Sequence, residues 1–151
     1  MKHHLNYVRY VLRHKYYVFI GCMKLNISFW QALIHDWTKF QPIEWRGYVQ
    51  RMRDNKNSTW QSVDDTPEYK AAWEHHWHNN PHHWEYWVTD GVAAAMPEKY
   101  VREMVADWHG AGSAQGKPDI AGFYAATKHR RTLHPATTKR IEELLPLLKE
   151  D

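Results

Sequence analysis

Residues 33–40 read LIHDWTKF and place a histidine beside an aspartate, His35 and Asp36, late in an apolar segment. An imidazole and an adjacent carboxylate can both bind one divalent cation if the local turn lets their side chains converge. The alternative is a helix end whose His and Asp face solvent. Lys39 follows Asp36 by three residues, about one helical turn, so its ammonium group could hold a phosphate beside the metal. The segment therefore predicts a metal site whose other ligands lie elsewhere in the chain.

Apolar residues recur at helical spacing along the chain and predict an all-α fold. We expect a first helix near residues 4–22 with a single inward face. That face comprises Leu5, Val8, Leu12, Tyr16, Phe19 and Ile20. Ser28 and Gln31 form a capping box that begins a second, short helix. Its inward residues are expected to be Phe29, Leu33 and Trp37.

Prolines mark the starts of the later helices. Pro42, Pro67 and Pro97 can each occupy a first helical turn, where the missing N–H is not needed. The helix from Pro67 should end at Asn80, because the residue before a proline avoids helical angles. A short helix then follows Pro81, and Gly110 is expected to close the helix that Pro97 opens. Loops are expected at 53–59 and 110–118, final helices at 119–130 and 136–149, and no strand.

Composition limits the class of protein. With 151 residues, 15% aromatic and 25% charged, the chain predicts one packed domain over residues 1–151. A net charge of +3 suits an anionic substrate as well as nucleic acid. The lone cysteine, Cys22, excludes an internal disulfide and favours a reducing cytoplasm. The longest apolar run, Tyr16 to Met23, is too short to span a bilayer, so we expect no membrane partner. The spread of basic residues near the N-terminus and the lack of a small-residue cleavage site predict no signal peptide.

Two further polar residues lie within apolar helical stripes. His14 is flanked by Val11 and Val18, and Asp107 lies beside the stripe of the helix from Pro97. A buried imidazole needs a partner, and a buried carboxylate needs a counter-charge. His14 and Asp107 are therefore candidate ligands of the same metal.

The order of His14, His35-Asp36 and Asp107 resembles the HD-domain superfamily of metal-dependent phosphohydrolases. The segments ALIHDWTKFQPIEW and NNPHHWEYW are also similar to a group of short bacterial and phage proteins of unassigned function placed near that fold. The resemblance covers roughly residues 5–110. It implies an HD-like bundle of six to eight helices, with the helices of 119–150 packed on it. It also implies hydrolysis of a phosphate ester, and the family includes members that hold a second metal with additional histidines.

The segment HHWHNNPHHW, residues 75–84, lies where those additional histidines would be. We expect His76 and His83 to bind a second metal, because the break at Asn80-Pro81 lets the chain fold back. His75 and His78 should stay outside, since Trp73 and Trp77 take the inward side. His82 is predicted to contact the substrate. The alternative is that the His and Trp side chains only pack and hydrogen-bond the two helices.

The expected function is hydrolysis of a nucleotide or related phosphate ester by a metal-activated water. Asp36 would bridge two ions, and Lys39 would neutralise phosphoryl charge. Glu44 is expected on the substrate side, where it could orient a water or a ligand histidine. The cofactor would be one or two divalent ions of Mn, Fe, Co, Zn or Mg. Two alternatives remain: an inactive HD-like fold that binds a nucleotide or a protein, and a helical nucleic-acid-binding module, which the scattered basic residues disfavour. The sequence does not determine the oligomeric state.

Overall fold

Seven α-helices make up most of the described chain, which in this computed structural model comprises residues 2–54 and 66–148. The all-α fold class is confirmed. The helices are α1 (Lys2–Lys24), α2 (Phe29–Ile34), α3 (Pro42–Asp54), α4 (Pro67–Asn79), α5 (Glu98–Ala114), α6 (Ile120–Thr127) and α7 (Pro135–Leu144). Short 3-10 helices lie at Trp37–Phe40, Trp84–Trp87, Lys128–Arg130 and Leu145–Leu148. A minimal antiparallel pair of strands, β1 (Val88–Thr89) and β2 (Val92–Ala93), connects the 3-10 helix Trp84–Trp87 to α5.

The helix starts follow the capping and proline signals. Ser28 caps α2 by accepting a hydrogen bond from the Gln31 backbone N–H, and Thr66 caps α4 in the same way through Tyr69. Pro42 and Pro67 begin their helices as expected, and α4 ends before Asn80 and Pro81. The capping box at Ser28 is only half formed, because the Gln31 side chain donates to Glu103 instead.

Two helix pairs build the core. α1 packs along α5, and α3 packs along α4. A large apolar cluster fills the space between α1, α5, α6 and α7, and a smaller one, with Tyr7, Val11, Tyr48 and Val49, lies between α1 and α3. His14 lies on α1 between Val11 of the small cluster and Val18 of the large one. The two helix pairs therefore meet at the level of His14.

The inward faces of α1 and α2 differ from the expected ones. The buried residues of α1 are Tyr7, Val11, His14, Val18, Gly21 and Cys22, whereas Leu5, Leu12 and Tyr16 are exposed. In α2 only Ala32 is buried, and Phe29 and Leu33 are exposed, as is Trp37 beyond its end. The prediction failed because both helices are apolar on more than one side, and it chose the bulkier side. Tertiary packing instead buries the side that carries small residues and the site histidine.

Three other expectations need correction. α5 does not end at Gly110 but continues to Ala114, so the predicted loop at 110–118 is reduced to 115–119. The chain contains the short β1–β2 pair, whose turn uses Asp90 and Gly91 at positive φ. Of the loop predicted at 53–59, Arg53 and Asp54 belong to α3, and the rest lies outside the described residues. No helix in 2–54 or 66–148 combines the length and hydrophobicity needed to cross a bilayer.

Gly110 is required by the close approach of α1 and α5 rather than by a helix end. A Cβ added at Gly110 would lie 2.3 Å from Val18 Cγ2 and 2.6 Å from the Val18 backbone nitrogen. The Val18 backbone can move only if the two helices separate.

We predict that Gly110→Ala lowers the free energy of unfolding by about 1–3 kcal/mol, because the added methyl overpacks the α1–α5 contact. Urea denaturation followed by circular dichroism measures the change. Gly21→Ala is the matched control: its Cβ would lie 3.3 Å from Ala106, and alanine also favours the helix, so the loss should be clearly smaller. Equal stability of Gly110→Ala and the wild type would contradict this account of the helix contact.

Candidate metal centre

Asp36 is the residue around which the site is built. Its backbone adopts φ 55° and ψ 28°, which ends α2 and starts the 3-10 helix Trp37–Phe40. Aspartate enters this left-handed region more readily than most residues. The resulting turn directs His35 and Asp36 into the same interior, where both are buried and His35 Nε2 lies 3.2 Å from Asp36 Oδ2. The two neighbours converge as a shared ligand pair would require.

A first group of ligand atoms gathers residues from three parts of the chain. His14 comes from α1, His35 and Asp36 from the end of α2, and Asp107 from α5, and their ligand atoms all lie within 4.8 Å of one another. His14 Nε2 is 3.1 Å from Asp36 Oδ2 and 3.1 Å from Asp107 Oδ1. All four residues are buried. The structure thus brings together the four ligands proposed from the sequence for the first metal.

A second group shares Asp36 and takes its other members from the histidine segment. It consists of Asp36, His76, His82 and His83, again with ligand atoms within 4.8 Å of one another. His76 Nε2 and His82 Nε2 lie 3.3 and 3.4 Å from Asp36 Oδ1. The turn after Pro81 folds the chain back so that the His83 ring lies 4.7 Å from that of His76. His82, expected as a substrate contact, lies among the candidate ligands.

The remaining histidines of the segment lie farther from Asp36. His78 is exposed, as expected. His75 is only partly excluded from the interior, because its Nδ1 donates to Glu44 Oε1 over 2.8 Å. Trp73 and Trp77 are both half-buried beside them.

Two buried glutamates orient the histidine rings. His76 Nδ1 donates to Glu44 Oε2 over 2.8 Å, and His35 Nδ1 donates to Glu103 Oε1 over 3.0 Å. A carboxylate can only accept, so Nδ1 of each ring carries a proton, and when the ring is neutral the lone pair is on Nε2. In both rings Nε2 is the atom that faces Asp36. Glu44 therefore accepts hydrogen bonds from His76 and His75 and does not lie on the substrate side. It binds the His76 nitrogen that faces away from Asp36, as carboxylates that orient metal-binding histidines do.

Glu103 was missed by the sequence analysis. It is buried, accepts hydrogen bonds from His35 and from Gln31 Nε2, and forms a third compact group with His35 and His82. The available signal was its position four residues before Asp107, which puts two acidic side chains on one face of an apolar helix.

Several candidate ligand atoms lack a hydrogen-bond partner anywhere in the described ranges. They are Nε2 of His35, His82 and His83, and Oδ1 of Asp36 and Asp107. Buried polar atoms are normally paired, and a divalent cation satisfies nitrogen and carboxylate donors together. The residues present therefore fit a metal: the two groups could each hold an ion, with Asp36 common to both.

The electrostatics of the site favour the ligand forms of Asp36 and His83. Burial alone would raise the pKa of Asp36, but His35, Lys39 and His76 hold it well below its usual range. Burial, together with His82 and His76, lowers the pKa of His83 far below its ordinary value, so this ring is neutral. Carboxylates that stay ionised and imidazoles that stay neutral are the forms that bind metals.

For His35 the electrostatics act the other way. Burial lowers the pKa of its ring, but Asp36, Asp107 and Glu103 outweigh burial and raise that pKa well above its ordinary value. A cation bound there would therefore displace a proton.

Lys39 contacts Asp36 directly. Its Nζ pairs with Asp36 Oδ2, and its side chain is largely buried. Burial lowers the pKa of Lys39, but Asp36 and Asp107 raise it more, so the ammonium stays charged. The structure thus places a fixed positive charge beside both groups of ligands.

A cleft of about 800 Å³ opens onto the site. His35, Asp36, His82 and Glu103 lie in its wall. The remaining lining residues include Gln31, Ile34, Trp37, Asn80, Lys99 and Tyr100. This volume is within the range of small-molecule sites, and the lining combines aromatic surfaces with amides and one lysine.

Comparisons with known proteins give one family. No curated protein and no solved structure matches the chain. A family model described as "Family of unknown function (DUF5662)" matches residues 3–147, which include every candidate ligand and both buried glutamates. The chain therefore belongs to this family of unknown function, DUF5662.

Proposed function

We propose that this protein is a metal-dependent phosphohydrolase of the HD type that acts on a nucleotide or a related phosphate ester. The observation that carries the proposal is the pair of buried ligand groups that share Asp36 and contain unpartnered donor atoms. A buried cluster of this composition is costly unless cations occupy it.

The resemblance to the HD superfamily supports the proposal through the placement of four residues. His14, the His35-Asp36 pair and Asp107 lie on successive parts of the chain and converge on one point. His14 and Asp107 are held by α1 and α5, and His35 and Asp36 by the turn that follows α2. This is the arrangement that the resemblance implies for a divalent metal.

The donor sets favour particular metals. The first group offers two imidazoles and two carboxylates, and the second offers three imidazoles and one carboxylate. Imidazole nitrogen suits Mn, Fe, Co and Zn, whereas Mg prefers oxygen ligands and retains water. We therefore place a transition metal ahead of Mg in the second group, and expect the first group to accept a wider range.

A divalent ion bound there would activate a water molecule and polarise the phosphoryl group. The chain's own residues supply the rest of the chemistry. Lys39 offers a positive charge to phosphoryl oxygens once Asp36 is shared with a cation. The cleft beside His35 and His82 holds the body of the ester, with the Trp37 and Tyr100 rings as apolar surfaces and Lys99 as a second cationic group. Aromatic surfaces of this kind suit a nucleobase.

The first prediction concerns metal binding. Purified protein should contain up to two divalent ions per chain, and Asp36→Asn should lose most of them, because Asp36 is common to both groups. Asparagine tolerates the left-handed backbone of residue 36, so the helical fold should survive. Elemental analysis and circular dichroism measure the two effects. Asp90→Asn is the matched control, since Asp90 has a similar φ of 51° but is exposed in the β1–β2 turn. A full metal content in Asp36→Asn would contradict the proposed site.

The second prediction concerns the reaction. In a metal-supplemented screen of nucleotides and simpler phosphomonoesters, the protein should release phosphate. Lys39→Met should lower kcat by roughly 10²–10³, the usual effect of removing one charge that stabilises the transition state. Its metal content should be retained, because the lysine competes with the ion for Asp36. Lys128→Met, at an exposed position, should behave as the wild type. Ligand binding without turnover under all metals would favour the alternative, an inactive nucleotide-binding fold.

The third prediction concerns the two glutamates. Glu44→Gln and Glu103→Gln should each weaken metal affinity by about 10–100-fold, because the neutral amide of glutamine accepts a weaker hydrogen bond from the Nδ1–H of the ligand histidine. Competition with a chelating dye measures the affinity, and the absorption spectrum of the Co²⁺ form reports the ligand geometry. Glu68→Gln, at an exposed position on α4, provides the control. Unchanged affinity in both variants would mean that the glutamates do not position the ligands.

A further inference from the structure

α1 carries a second apolar stripe on the side opposite its buried one. Leu5, Leu12, Tyr16 and Met23 are spaced by 7, 4 and 7 residues and therefore share one helical face. All four side chains are exposed. The helix thus presents a continuous apolar line to solvent over most of its length.

α2 extends this apolar surface. Phe29, Trp30, Leu33 and Ile34 are all exposed, and Trp30 retains 71% of its accessible area. The Phe29 ring meets Phe19 of α1 edge to face at 5.6 Å, which joins the two exposed surfaces. Of the 14 large hydrophobic side chains that are exposed in the described ranges, nine lie in residues 5–37, and two of these, Ile34 and Trp37, also line the cleft of the metal centre. Monomeric proteins seldom expose so concentrated an apolar surface unless it is used for binding. We call it the α1–α2 face.

The first 35 residues of the chain carry positive charge only. Residues 1–35 contain five Lys or Arg and no Asp or Glu, whereas residues 36–151 contain 15 basic and 17 acidic residues. The whole net positive charge of the chain therefore originates in its first 35 residues. Arg9, Arg13 and Lys24 are exposed on α1, near the apolar stripe.

We propose that the α1–α2 face docks on the surface of an anionic lipid bilayer. Exposed Trp, Tyr and Leu side chains enter the headgroup region, while neighbouring basic residues attract anionic lipids. A second copy of the chain is a poorer occupant, because a two-fold contact would bring the basic residues of α1 close to their own copies. Docking of this kind requires no membrane-spanning helix, and the proposal rests on the exposed residues and the charge of α1 and α2 rather than on a bound metal.

Co-sedimentation with lipid vesicles tests the proposal on the full-length protein. Binding is expected to vesicles that contain phosphatidylglycerol, to be weak on pure phosphatidylcholine, and to fall as salt screens the charges. The double variant Trp30→Ser/Leu33→Ser should weaken binding by 10-fold or more. Arg9→Gln/Arg13→Gln should also weaken it, on the order of 10-fold. The second variant retains every apolar residue, so it tests the proposal even if the first fails to fold.

Matched controls change equally exposed residues elsewhere. Leu147→Ser and Lys128→Gln/Arg130→Gln should bind vesicles as the wild type does. The proposal is overturned if anionic vesicles do not bind, or if the face variants and the controls behave alike. Equally tight binding to soluble polyglutamate would assign the face to acidic polymers instead. A dimer in analytical ultracentrifugation that Trp30→Ser/Leu33→Ser dissociates, without vesicle binding, would assign it to a second copy.

Discussion

The burial of the Asp36 carboxylate is the constraint on which the rest of this structure depends. An ionised carboxylate in a helical interior is stable only when positive charge and donors surround it. Lys39 and the imidazoles of His14, His35, His76 and His82 all approach its two oxygens. These residues come from α1, α2, α4 and the turns next to them. The helices are therefore arranged so that their polar side chains meet at one point, and the apolar clusters form on either side of it.

Close helix packing makes this convergence possible. Gly110 lets α5 approach the backbone of α1 at Val18, one turn from the positions of Asp107 and His14. On the other side, Glu44 of α3 holds His76 of α4 through a 2.8 Å hydrogen bond. Each helix pair thus presents its ligands already oriented. Because the ligands belong to both pairs, a bound cation would also stabilise the contact between them, and metal affinity would be coupled to folding.

Much of the candidate site could be predicted because unusual polar residues in apolar stripes must find partners. His14 and Asp107 were identified by that reasoning, and the break at Pro81 correctly suggested that His76 and His83 could face one point. Glu103 was not identified, since a glutamate in a helix is normally solvated and its sequence neighbours give little sign of burial. His82 was identified as a substrate contact but lies among the candidate ligands, because the direction of a side chain in a turn depends on the surrounding helices. Glu44 holds candidate histidines, one of the roles expected of it, but does not lie on the substrate side.

The sequence by itself determined the helical class, most helix starts and most of the residues able to bind a cation, because these depend on local capping, proline geometry and side-chain chemistry. Only the tertiary structure decided which side of each helix is buried. α1 and α2 are apolar on more than one side, so hydrophobic periodicity alone could not choose between Leu12 and Val11, or between Phe29 and Ala32. The choice depends on close contact between helices, which favours small side chains where backbones approach and leaves the larger ones on the α1–α2 face.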